Sequence, residues 1–245
     1  MSVRAFVPAE LALSAVAVGQ QIELDEDESR YLLKVRRVRV GEAIELLDGR
    51  GSRCSATLSS AGRRARVEVV AVGSEPAQCA TRILLLGLAE PAATLDALTG
   101  ACELGVTEVV LVRCERSQGH APSGARIERV LRAAMRQCGR PSPPQLLGAP
   151  PEDTWSLADA LAHRIEVPGL FGDPDGSGHS AALHGGLRLL VGPEGGLTAR
   201  EIEAARVAGF RGVCLGPWIL RTPTAVVALL ARVGADIGGG RPDVP

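Results

Sequence analysis

Aromatic side chains are nearly absent: three Phe, two Trp and one Tyr among 245 residues. The core must therefore be built from Ala, Val and Leu. Lysine is rarer still. Lys34 is the only one, and arginine carries the rest of the positive charge; with abundant Ala, Gly and Pro this is the usage of a GC-rich genome. The six cysteines (Cys54, Cys79, Cys102, Cys114, Cys138, Cys214) are scattered, and no Cys-x-x-Cys or Cys/His cluster offers metal-ligand spacing, so no metal is expected. No apolar run approaches membrane-spanning length, and the opening residues lack an export-signal pattern. The expectation is a protein of the reducing cytoplasm with no membrane partner. Neither a Walker loop nor Gly-x-Gly-x-x-Gly occurs, which disfavours a nucleoside triphosphate, a Rossmann-bound dinucleotide and hence a dehydrogenase.

The net charge of −1 conceals an asymmetry. Between residues 30 and 66 ten basic residues, Lys34, Arg36 and Arg37 among them, face only Glu42, Glu45 and Asp48. From Arg113 to Arg140 seven arginines face Glu115 and Glu128. Such stretches are either a polyanion footprint or a solvated charged face, and charge counts alone do not separate the two.

The first seventy or so residues alternate short apolar runs with turns, including a hairpin expected around Asp48-Gly49, and predict a small β-barrel. Residues 73–80 read as a linker. Beyond them strands alternate with helices: "RILLLGLA", a helix ending near Glu103, "TEVVLVRC", and a helix whose apolar face is Ile127, Val130, Leu131, Ala134 and Met135. A Pro-rich connector follows from Arg140, and residues 169–186 read as loop. The last third gives "LRLLV", a loop, a helix, "RGVCL", a second loop and the helix "TAVVALLARVGA", which is apolar nearly all round and predicts burial in a core or at a subunit interface. The pattern is an α/β domain with a largely parallel sheet.

Two Gly-Pro loops stand out in that last third, "LLVGPEGGLTAREIE" and "CLGPWILRTPTA". Thr198 with Glu201 predicts a capping box and Leu197 with Ile202 a hydrophobic staple, so the first loop feeds a helix N-terminus. Both loops follow strands, where ligands of open α/β sheets bind. The glycines permit close backbone approach and the prolines stiffen the loops; the plain alternative is two tight turns. Arg221 follows "PWIL" and precedes Thr222-Pro223, a candidate N-cap and N1 pair. Buried, its guanidinium would need an anion, either Glu194 or a substrate phosphate; otherwise it snorkels to the surface.

These two loops, with "ELGVTEVVLVRCERS" and "RQCGR", resemble in the same order the RsmE family of SPOUT-class methyltransferases, which modify nitrogen 3 of a uridine in 16S ribosomal RNA. "YLLKVRRVRVGEAIELLDGRG" is similar to that family's PUA-like RNA-binding barrel, so the resemblance spans almost the whole chain. It implies residues 1–72 as the barrel and 73–245 as a SPOUT domain with a deep trefoil knot, an exception to unknotted topology. It also implies a homodimer acting on the small ribosomal subunit with S-adenosylmethionine as cofactor. Carried over by position, Val191, Gly192, Glu194 and Gly195 of the first loop and Leu215, Gly216, Pro217 and Leu220 of the second would line the cofactor pocket. Arg221 would face the uridine or a phosphate as the catalytic residue. Lys34, Arg36, Arg37, Arg116, Gln137 and Arg140 would contact RNA.

The chain departs from the family at several points. Two family lysines correspond to Ala93 and Gly100, the Glu of a Glu-Gln pair to Arg136, a loop arginine to Trp218 and the Glu after Arg-Thr to Pro223. Trp218 either stacks on a base or fills an apolar gap. Two other readings stay open: a SPOUT methyltransferase acting on another RNA, and a silent RNA-binding relative.

Overall fold

The computed structural model describes residues 2–73, 80–148, 153–176 and 186–234. Most of the expected linker, the end of the Pro-rich connector, and His179 and His184 lie outside the described residues. The chain divides into two compact units, residues 1–77 with 135–143, and residues 78–134 with 144–245.

The first unit contains β1 (Val3–Phe6), β2 (Gln21–Glu23), α1 (Glu26–Arg30), β3 (Ala43–Leu47), β4 (Arg53–Ser60) and β5 (Arg66–Val72). Its five strands pair in the order β1-β3-β4-β5-β2, with β1 and β3 parallel and the other ladders antiparallel. The β3–β4 hairpin forms where the sequence placed it. Asp48 Oδ1 accepts from the Arg50 and Ser52 amides at 2.8 and 3.0 Å, an Asx-type turn. Alternate residues of these strands, Ile44, Leu46, Ala56, Leu58, Val67 and Val69, fill one core, with Tyr31 packed against it. Asp25 caps α1 by accepting from Glu28 N–H at 2.7 Å. The chain then runs into one π-type turn, Tyr31–Val35, that leaves Lys34 exposed.

Residues 135–143 tie into this unit through Arg136. Its guanidinium pairs with Glu28, which is buried and also accepts from Phe6 N–H at 3.1 Å. It lies 4.1 Å from the Tyr31 ring centroid as well. Arg4 caps the same segment, donating to the carbonyls of Arg136 and Gln137 and to Glu45. The charge at position 136 is thus a structural anchor. Arg136→Ala is expected to destabilise the unit by about 2–3 kcal/mol, because it removes the cation paired with a buried carboxylate. Urea unfolding followed by circular dichroism measures this; a loss below about 0.5 kcal/mol would place the pair with ordinary surface ion pairs.

The second unit contains β6 (Arg82–Gly87), α2 (Pro91–Glu103), β7 (Glu108–Arg113), α3 (Gly124–Cys138, its last turn assigned to the first unit), β8 (Gln145–Leu147), β9 (Trp155–Ser156), α4 (Leu157–Ala162), β10 (Gly169–Gly172), β11 (Leu187–Val191), α5 (Ala199–Val207), β12 (Phe210–Val213) and α6 (Thr222–Gly234). The strands form one parallel sheet in the order β12-β10-β11-β6-β7-β8, with β9 also on β7. The central strands are covered on both faces and so read as continuous apolar runs rather than alternating ones. One face, with Ile83, Leu85, Val110 and Leu190, packs against Leu157, Leu161 and Ala205 of α4 and α5. Period-two geometry turns their neighbours Leu84, Val109 and Leu189 to the opposite face, where α6 meets β10 and β11 and packs on α2.

One expectation needs correction. Residues 169–172, read as loop, are the strand β10 between β11 and β12. Its signal is hidden because Gly169 has to lie under the Phe210 ring, whose nearest atom would sit 2.5 Å from any Cβ there. On helix α6, Val226, Leu229, Leu230 and Val233 face the core, while Val227, Ala231 and Arg232 are exposed.

Candidate active site

Three adjacent strands, β12, β10 and β11, end side by side, and the segments leaving their carboxyl ends enclose a cavity of about 360 Å³ within the second unit. Gly172, Asp173 and Pro174 follow from β10, residues 191–197 from β11, and Leu215, Gly216 and 218–220 from β12. Of the predicted pocket residues, Val191, Gly192, Glu194, Gly195, Leu215, Gly216 and Leu220 border this space together. Pro217, exposed, is not among the lining residues, and neither is Arg221.

The first loop is held from both ends. Thr198 Oγ1 accepts from Glu201 N–H at 3.2 Å while Glu201 Oε2 accepts from Thr198 N–H at 2.8 Å, completing the predicted capping box. The second oxygen of the same buried carboxylate accepts from Glu115 N–H at 2.8 Å, clamping the helix start to the segment after β7. Burial, and then this carboxylate, pushes the neighbouring Cys114 thiol up to about 12. Glu194 accepts from Glu90 N–H at 3.2 Å, so it is engaged by backbone and not by Arg221. Gly196 takes the left-handed φ of +70° that turns the chain toward the helix, its N–H donating to Pro193 O at 2.8 Å.

The second loop, residues 214–221, forms no helix or strand, so its backbone groups are not committed to a ladder. Gly216 carries a φ of +151°, closed to other residues without strain. The two loops are joined directly. Thr222 Oγ1 donates to the Gly192 carbonyl at 3.2 Å, so the hydroxyl expected to cap α6 bridges the loops instead. Arg221 O accepts the first helical bond, from Ala225 N–H at 2.8 Å. The Arg221 side chain is exposed and makes no hydrogen bond or ion pair among the described residues, so the anion expected for a buried arginine is not required.

Arg116, expected on RNA, borders the cavity and donates Nη1 to Gly195 O at 3.1 Å. Lys34, Arg36 and Arg37 are exposed in the first unit, Arg37 with φ +56°, a strained value for a residue with a side chain. Gln137 is exposed and Arg140 half-buried. The sequence reading missed Asp173, which has no local motif. It is buried beside the cavity, accepts from Asp175 N–H at 3.1 Å and pairs with Arg206 at 3.1 Å. Gly212 makes room for it, since a Cβ there would meet Asp173 Oδ2 at 2.4 Å. At Gly100 a Cβ would fall 2.8 Å from Val227 Cγ2, so any side chain there requires Val227 to shift. His163 contacts Glu108, and neither borders the cavity. Among the described residues no three His, Cys, Asp or Glu side chains gather as a metal site, and no helix is long and apolar enough to cross a membrane.

Comparison with known proteins places this arrangement. The family model of an RNA methyltransferase domain matches residues 77–234, and that of an RNA methyltransferase PUA domain matches residues 24–70. The ribosomal RNA small subunit methyltransferase E of Mycobacterium bovis is 31% identical over 233 residues, 88% of this chain and 87% of that protein. Its namesake from Synechocystis is 29% identical over 87% of this chain and 73% of its own. The crystal structure of a ribosomal RNA small subunit methyltransferase E from Neisseria gonorrhoeae, bound to S-adenosyl methionine, superposes with a TM-score of 0.80 at 29% identity, covering 96% of this chain and 98% of that one. The chain therefore belongs to the family of the ribosomal RNA small subunit methyltransferases E.

Proposed function

We propose that this protein is an S-adenosylmethionine-dependent methyltransferase that modifies nitrogen 3 of a uridine in the 16S RNA of the small ribosomal subunit. The observation that carries the reading is the cavity built by both Gly-Pro loops at the carboxyl ends of β10, β11 and β12. Its volume lies in the range of small-molecule sites. Its lining fits the cofactor: aliphatic walls from Val191, Leu197 and Leu215 for a flat base, uncommitted loop backbone for its polar edge, and the Asp173 and Glu194 carboxylates for a cation. When bound, the cofactor supplies a methyl group on an electrophilic sulfonium.

The chain's own residues divide the remaining tasks. Val191, Gly192, Glu194 and Gly195 with Leu215, Gly216 and Leu220 hold the cofactor, Pro217 stiffens the second loop behind them, and the clamped loops fix its orientation without a mobile lid. Arg116 supports the first loop through Gly195 O. Arg221, at the rim, stabilises the negative charge that develops on the uridine imide as its N3 proton leaves. Lys34, Arg36, Arg37, Gln137 and Arg140 meet the RNA, and the exposed cations give salt-dependent affinity. Residues 1–72 serve as the RNA-binding module and 73–245 as the catalytic one, in a cytoplasmic homodimer. A trefoil knot in the catalytic domain agrees with β10 lying between β12 and β11 and with the Thr222–Gly192 bond between the loops.

The test is methyl transfer from labelled S-adenosylmethionine to small subunits lacking uridine-N3 methylation, followed by digestion and mass spectrometry. The expected product is 3-methyluridine. Cofactor binding without transfer would point to a silent relative, and transfer only to other RNA would replace the substrate.

A further inference from the structure

Five of the six aromatic side chains are packed. Arg136 lies over Phe6 and Tyr31, Arg188 covers Phe210, Phe171 sits in the sheet core, and Trp155 meets His163 edge-on. Trp218 is the exception. It is 81% exposed, has no ring partner among the described residues, and borders the cavity. Resting on the proposed function, we infer that Trp218 is a stacking platform that receives an unstacked base of the RNA substrate at the cavity mouth.

The ring is presented by a stiff support. Gly216 fixes the turn, the Cys214 thiol donates to Gly216 O at 3.4 Å, and Pro217, directly before Trp218, has its own φ locked by its ring. An exposed indole held in this way loses little freedom when a flat partner arrives. Charge selects the partner. The exposed Arg221 guanidinium follows three residues later without a protein partner among the described residues, which suits a flat ring on which negative charge develops. A π-face accepts any base, whereas reading nitrogen 3 requires that the base leave its stack, so an aromatic surface at the rim compensates for the lost stacking. The adjacent Ile219, 91% exposed, makes a second copy of the chain the main competitor for this surface.

Trp155→Phe leaves Trp218 as the sole tryptophan, and indole fluorescence reports its surroundings directly. A short uridine-rich single-stranded RNA, added with S-adenosylhomocysteine, is expected to quench the emission saturably. An abasic strand of the same length should not. Should Trp155→Phe fail to fold, the difference between the native chain and Trp218→Phe gives the same signal. In methyl transfer, Trp218→Ala is expected to lower kcat/KM about 10- to 100-fold with unchanged cofactor affinity, and Trp218→Phe to recover most of it. Quenching by S-adenosylhomocysteine alone would assign the ring to the cofactor. A concentration-dependent blue shift without RNA would assign it to a second copy. Either result overturns the inference. Failure of the native chain to methylate small subunits strikes the proposed function instead, whereas methylation unaffected by Trp218→Ala strikes this inference alone.

Discussion

Arg188→Met is expected to be the most damaging single substitution for stability, at about 5 kcal/mol, because it removes five hydrogen bonds, most of them part-buried, made by one buried guanidinium. Arg188, the second residue of β11, is 1% exposed. Its five N–H donors are all used: Nε on Val167 O, Nη1 on Leu161 and His163, and Nη2 on Ile165 and Ala208, at 2.7 to 3.3 Å. The guanidinium also lies 4.6 Å from the Phe210 ring centroid. Burial pushes its pKa down, with Glu166 opposing, yet an arginine keeps its charge at neutral pH. One side chain therefore gathers the end of α4, the segment before β10 and the end of α5 behind the strand that carries the first Gly-Pro loop. Urea unfolding of the native chain, Arg188→Met and Arg188→Lys measures the effect. Lysine keeps the charge but has three donors on one atom and should recover only part of the loss. A midpoint for Arg188→Met within error of the native value would show that water replaces the guanidinium.

Arg188 also marks where sequence reading stops. "LRLLV" reads correctly as a strand, but the reason for its arginine lies in five carbonyls from two segments, residues 161–167 and residue 208, 20 to 27 positions away. The first Gly-Pro loop was legible because its chemistry is local: Thr198 and Glu201 lie three residues apart and form the capping box as expected. The strand β10 was not, since "GLFG" acquires its meaning only between β11 and β12. Asp173 was hidden for a related reason, its partners being Arg206 and the gap above Gly212. Thr222 was assigned as a cap one residue from the observed helix start. That offset is ordinary, but the hydroxyl's real partner, Gly192, lies thirty residues away. Local motifs thus reported the loops, and only the fold reported what holds them.

Arg221→Ala is expected to lower kcat for methyl transfer about 100- to 1000-fold while leaving the cofactor dissociation constant unchanged. The two halves of this expectation have separate grounds. The cofactor half follows from position: Arg221 does not border the cavity, and its backbone carbonyl, which starts α6, survives the substitution. The catalytic half follows from the guanidinium's freedom, since no carboxylate among the described residues neutralises it before substrate arrives. A cation kept unpaired at the rim is available for charge that appears only as the uridine loses its proton, and stabilisation confined to that moment raises kcat rather than lowering KM. Arg221→Lys should fall between, supplying charge without the planar fork. Calorimetric titration with S-adenosylmethionine and single-turnover methylation of small subunits separate the two halves. A weakened cofactor with intact chemistry would return Arg221 to the pocket wall. A raised KM with unchanged kcat, growing with ionic strength, would make it a phosphate contact and leave the developing charge to be met by another group.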